Sequence, residues 1–160
     1  MMARIRSFQS GFSLIEVLVA AIVVALGLLG LMALQLGQIR NTNQAVDGSI
    51  AAIYLNDMAE RIRANSAQSA LYLASHAKLP ASIDCVCNQC TAAEVAQFDL
   101  YTWQNQLISN LPSGGGEITQ AGNSITISIR WDQDLSGSAG KNCPVASDDD
   151  LDCLTTTISI

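Results

Sequence analysis

The amino-acid sequence predicts an α+β protein: a long N-terminal helix, membrane-spanning in its first half, packed on a small C-terminal antiparallel β-sheet domain with a short extra helix. Three observations predict it. From Phe12 to Leu34 run 23 residues with a single ionisable group, Glu16, which meets the roughly 20-residue length of a spanning helix. Beyond Leu34 the chain turns polar yet keeps apolar residues at helical spacing, and no proline occurs before Pro80. Near the C-terminus Ile125, Ile127 and Ile129 alternate with Thr126, Ser128 and Arg130, the period of a half-buried strand.

The first element is one helix from about Ser13 to Ala64. Leu36, Ile39, Val46, Ile50, Ile53 and Ile62 fall on a common stripe of its second half. Gly37 and Gly48 each weaken it by about 1 kcal/mol relative to alanine without forbidding it. At this length the helix reaches on the order of 75 Å, so its second half must pack on something outside the membrane. Arg4 and Arg6 precede the apolar run with no acid among them, which predicts a cytoplasmic N-terminus and everything after Leu34 outside. The run is too long for the core of a conventional signal peptide, and its small residue, Gly11, stands before it rather than after.

Asn65 to Ala81 reads as a connector. Thr91 with Glu94 makes a capping box that opens a short helix, with Val95, Phe98, Tyr101 (or Thr102) and Ile108 near one face, stopped by Pro112. Ser113 to Glu117, SGGGE, reads as a flexible turn. EITQ and SITISIRW, joined by Ala121-Gly122-Asn123, read as a hairpin, and LTTTISI as the third strand after a polar loop from Asp132 to Asp152. Trp103 and Trp131 read as core aromatics that hold the short helix on the sheet.

The formal net charge is −6, and removal of Met1 to Gly11, with two arginines and no acid, takes it to −8. This acidic chain with scattered cations argues against a nucleic-acid role, because phosphate binding needs a basic face. Five cysteines, Cys85, Cys87, Cys90, Cys143 and Cys153, all lie beyond the anchor and are disulfide candidates in an oxidising compartment. Cys143 pairs with Cys153 to close a small loop before the last strand, and Cys90 takes Cys85 or Cys87, leaving one thiol. A zinc site needs four ligands, usually as two close pairs, and the nine-residue gap between Cys143 and Cys153 does not suit one. No metal or other cofactor is expected. A redox role for Cys87 and Cys90 lacks catalytic context.

Asp148, Asp149, Asp150 and Asp152 form an acidic solvated loop without the distal glutamate or central glycine of a calcium loop. His76, the only histidine, reads as a surface side chain. Asp57 and Arg61 are placed for an intrahelical ion pair, with Glu60 and Arg63 beside them, and a subunit contact is the functional alternative. Glu16, read alone, is an anchor glutamate turned toward the headgroups.

GFSLIEVLVA resembles the processing signal of type IV pilins: glycine, phenylalanine, serine or threonine, then Leu-Ile-Glu after a basic leader. ALGLLGLMALQLGQIR, LNDMAERIRAN, AQFDLYTWQNQL and ITISIRW further resemble minor pilins of the PilV type, the type IV pilus modification proteins. The resemblance implies the type IV pilin fold, with a leader over 1–11, a membrane and assembly half-helix over 12–35, an amphipathic half over 36–65 and a periplasmic domain over 66–160. It implies cleavage by prepilin peptidase between Gly11 and Phe12, N-methylation of Phe12, and pairing of Glu16 with the N-terminal amine of a neighbouring subunit. A buried carboxylate alone tends to protonate; beside an amine it stays charged and sets axial register.

The implied protein is a non-enzymatic minor pilin, single-pass in the inner membrane and then in the pilus fibre or tip. Its partners are other minor pilins, the major pilin, the peptidase and the assembly platform. The alternatives are a type II secretion pseudopilin, which shares the signal and helix, a tip adhesin, and a membrane-anchored metal or redox protein built on the cysteine cluster.

Overall fold

The computed structural model describes Gly11 and residues 13–160. Helix α1 spans Leu14–Ala64, a 3-10 segment Ser66–Tyr72 follows, and α2 spans Ala92–Asn110. Strands β1 (Gly115–Ala121), β2 (Ser124–Trp131) and β3 (Asp152–Ser159) form one antiparallel sheet in the order β1-β2-β3. This is the α+β arrangement of the type IV pilin fold. The chain divides into two compact units, with the boundary inside α1 between Thr42 and Asn43.

The first unit's share of α1 is exposed throughout and mostly apolar, from Leu14 and Ile15 to Leu36 and Ile39, turning polar from Gln35 onward. The helix is long and apolar enough to cross a membrane.

In the second unit α1 buries Ala51, Leu55, Met58, Ala59 and Ile62. This face differs from the expected stripe, of which only Ile62 is fully inside, while Val46 and Ile53 are exposed. Small alanines mark the buried face because they let neighbouring elements approach, and a stripe counted from large apolar residues overlooks them.

Helix α2 starts at the expected capping box: the Glu94 N–H donates to Thr91 Oγ1, and the Thr91 N–H to Glu94 Oε2 at 2.8 Å. Its inward face is Ala96, Asp99, Leu100, Trp103, Gln104 and Leu107. Val95, Phe98 and Tyr101 are only half-buried and Ile108 is exposed. The expected face was rotated because Asp99 and Gln104 are polar but satisfied inside, and pattern reading sends such residues to solvent.

The hairpin forms across Gly122 and Asn123, with Gly122 at φ +60°, a conformation glycine adopts without penalty. Ile125, Ile127 and Ile129 point into the core, each worth about 1.5–3 kcal/mol of burial. The other face of β2 pairs hydroxyls with β3, Thr126 with Thr157 and Ser128 with Thr155, both at 3.1 Å. Arg130 on that face is buried rather than outward, because its Nε donates to Lys141 O at 2.9 Å and Glu117 lies 3.0 Å from its guanidinium.

Two further expectations change. SGGGE is not a flexible turn: Gly114, Gly115 and Gly116 are buried, and β1 begins at Gly115. A Cβ on Gly116 would lie 2.0 Å from Trp103 Cη2, and one on Gly114 would lie 2.4 Å from Leu107 O. Gly114 and Gly116 are there because α2 lies on bare backbone, and Gly115 faces His76 and Ala77. His76 is half-buried against Gly115 rather than on the surface. Trp103 and Trp131 are both core residues.

Gly116→Ala is expected to lower stability by on the order of 1–3 kcal/mol through overpacking against Trp103. Thermal unfolding of the full chain in detergent, followed by Trp fluorescence, measures this; an unchanged midpoint would contradict the close approach.

Candidate assembly surface

The serine before α1 starts the helix: Ser13 O accepts from the N–H groups of Glu16 at 3.1 Å and Val17 at 3.3 Å. Glu16 therefore sits in the first turn, where the helix dipole favours an anion. Its side chain is exposed, as are Leu14, Ile15, Val17 and Leu18 around it. Chemically, this is one carboxylate at the start of a helix with an otherwise apolar surface, able to receive a cation from another molecule. Gly11 is exposed. Phe12, and the basic flank with Arg4 and Arg6, lie outside the described residues.

The second unit clamps its share of α1 through polar anchors. Trp103 Nε1 donates to Tyr54 O at 3.0 Å, and Gln133 Nε2 to Asp47 Oδ2 at 2.9 Å. Arg61 binds Asp57 through Nε at 2.8 Å and Asp99 through a second nitrogen at 2.6 Å. The Tyr72 hydroxyl donates to the other Asp99 oxygen at 2.8 Å, and Asn65 Nδ2 donates to Tyr72 Oη and Ala92 O. The expected Asp57–Arg61 pair is present, but it is half of a bridge from α1 to α2. The Glu60–Arg63 pair stays on the exposed helix surface.

Burial, reinforced by Asp99, pushes the Tyr72 phenol up to about 12. Burial alone would depress the Arg61 guanidinium, but Asp99 and Asp57 outweigh it and raise it. A subunit contact through Arg61 would have to compete with both carboxylates.

Cysteines join as Cys85–Cys90 and Cys143–Cys153, and Cys87 is free and exposed. Asp84 shapes the first loop, accepting from the N–H groups of Val86 at 2.9 Å and Cys87 at 3.2 Å. Among the described residues no three His, Cys, Asp or Glu side chains converge to hold a metal ion. In the acidic loop Asp148, Asp149 and Asp152 are exposed, but Asp150 is buried rather than solvated. Its carboxylate accepts from the Asn142 side chain and from the backbone of Asn142, Ala146 and Ser147. The Asn142 side chain foremost, with those N–H groups, holds it down to about 2.

Sequence reading missed Asp99, Tyr72, Asn65 and Gln104. The one available signal was a carboxylate and an amide, Asp99 and Gln104, spaced to share a helix face with Trp103.

Residues 33–101 match the family described as Tt1218-like, type IV pilin Tt1218. Residues 6–32 match the prokaryotic N-terminal methylation motif. The matches adjoin: the methylation motif covers the start of α1, and the similarity to a type IV pilin runs from there into α2. No curated protein and no solved structure matches it.

Asp99→Ala leaves Arg61 and Tyr72 without their shared acceptor and is expected to cost about 3 kcal/mol or more. Urea unfolding checks this; a loss under 1 kcal/mol would show that the bridge is dispensable. For Asp150 the bound state is favoured above the ordinary carboxylate pKa of 3.8, and that stability is lost as pH falls from 3.8 to about 2. Protection of the Ala146 and Ser147 amides should fall over that window, and should already be low at neutral pH in Asp150→Ala.

Proposed function

We propose that the chain is a minor pilin of a type IV pilus, of the PilV type. The observation that carries this reading is the first stretch of α1, from Leu14 to Leu34: an exposed apolar surface whose one charged residue is Glu16 in the first turn, lying within the matched methylation motif. Such a surface is stable only in lipid or against other helices. In the second unit, Val46 and Ile53 remain exposed on the side of α1 that the domain does not bury, which supports contact with neighbouring subunits there too.

The steps are those that the resemblance to type IV pilins implies. Prepilin peptidase cuts between Gly11 and Phe12 and methylates the amine of Phe12. Residues 12–35 then span the inner membrane, and the domain beyond folds in the periplasm. On assembly, Glu16 accepts the Phe12 amine of a neighbouring subunit. In the low dielectric of the bundle this pairing offsets the cost of burying either charge alone and favours the docked over the lone subunit. The protein acts as a structural subunit and catalyses nothing. Its partners are the major pilin, other minor pilins and the assembly platform.

Intact mass and N-terminal peptide mapping of the protein from membranes and from sheared pili test this reading. A methylated chain beginning at Phe12 in both fractions is the expected result. Absence from sheared pili while present and processed in membranes would point to a secretion pseudopilin instead. Glu16→Ala is expected to be processed normally and to fall at least tenfold in the pilus fraction; normal incorporation would remove the pairing role.

A further inference from the structure

We propose that Leu73–Ala77 is a pH-sensitive strap over the outer edge of β1, held shut by the neutral imidazole of His76 and released when that ring takes up a proton. β1 has β2 on one side. On its other side the strap supplies a single bridge, Ala74 with Ile118, through Ala74 N–H to Ile118 O at 3.2 Å and Ile118 N–H to Ala74 O at 2.9 Å. Gln104 ties strap and strand together: its Nε2 donates to Ser75 O at 3.2 Å and to Gly116 O at 2.6 Å.

His76 closes this arrangement by lying on the bare backbone of Gly115. A Cβ there would be 2.7 Å from His76 Cε1 and from Ala77 N. His76 Nδ1 is buried with no hydrogen-bond partner. An unprotonated ring nitrogen tolerates such a site; a second ring proton would bring a charge into it with only the Gly115 backbone to receive it. The charged groups around the ring are Arg130 from β2, Lys141 from the 132–152 loop and Glu117 from β1. Burial, then the two cations, hold the imidazole below its ordinary 6.5, and the Gly115 backbone and Glu117 oppose this more weakly.

The strap is also biased to open. Ala77 is held at φ +53°, a left-handed conformation unfavourable for a non-glycine residue and one that a released strap would give up. The sign of the pH effect follows. The closed strap binds the proton less tightly than the open one, so closure is favoured fully above pH 6.5 and weakens as pH falls through 6.5 toward the lower pKa of the closed form. Acid would thus bare the Ile118 N–H and C=O, an edge able to accept another strand.

Amide hydrogen exchange of the full chain in detergent, corrected for intrinsic rates, tests the strap at pH 7.5 and pH 5.5. Protection at Ala74 and Ile118 should drop several-fold, with about tenfold per pH unit as the limit for one proton. The Ile127 amide in the β2–β3 ladder should be unchanged. In His76→Gln the difference between the two pH values should vanish. Equal protection at both pH values, equal loss at Ile127, or an undiminished pH effect in the variant would each overturn the strap. Should the variant not fold, a wild-type NMR titration decides: a ring titrating at or above 6.5 overturns it, and one titrating below 6.5 in step with loss of the Ala74–Ile118 bridge supports it.

Discussion

The domain depends on how closely α2 lies against β1. Trp103 rests on Gly116, and Gln104 receives the Gly116 N–H at 3.0 Å while donating to its carbonyl. One glutamine thus replaces a missing strand for that residue and sets the height of the helix over the sheet. The register of β1 on β2, the seat of Trp103 under the Tyr54 carbonyl and the course of the strap at Ala74 all follow from this contact. A side chain at Gly116 would push the helix off, and no rearrangement of a flexible tip could absorb it, because the facing group is a rigid indole.

The two units solve opposite solvation problems. The second unit hides its apolar groups between helices and sheet and pairs its inward polar groups, as with Asp99, Arg61 and Tyr72. Among its described residues the first unit hides no apolar side chain: they stay exposed. A surface of that kind is completed by something other than the chain itself, and a single carboxylate at its start gives that completion a direction.

The polar loops lack enough apolar residues to order themselves, and they are held by other means. One disulfide spans five residues next to the cap of α2, and a second ties the long loop to β3. Asp150 gathers donors from Asn142, Ala146 and Ser147 where an apolar contact would otherwise be needed.

Much of this architecture was determined by the sequence alone. The extent of α1, the capping box at Thr91, the hairpin at Gly122 and the three strands rest on period, caps and turn residues, which are local properties. So does the signal around Gly11 and Glu16, which is carried by contiguous residues. The structure decided what local pattern does not encode. It selected the buried face of α1 with its alanines, turned α2 so that Asp99 and Gln104 face inward, and made strand of SGGGE. It also half-buried His76 and chose Cys85 for Cys90. For the inward polar residues and the glycines the deciding partner lies elsewhere along the chain: Arg61 for Asp99, Gly116 for Gln104, Trp103 for Gly116. A polar residue or a glycine reads as surface or turn until its long-range partner is known, because its burial is favourable only when that partner is in place.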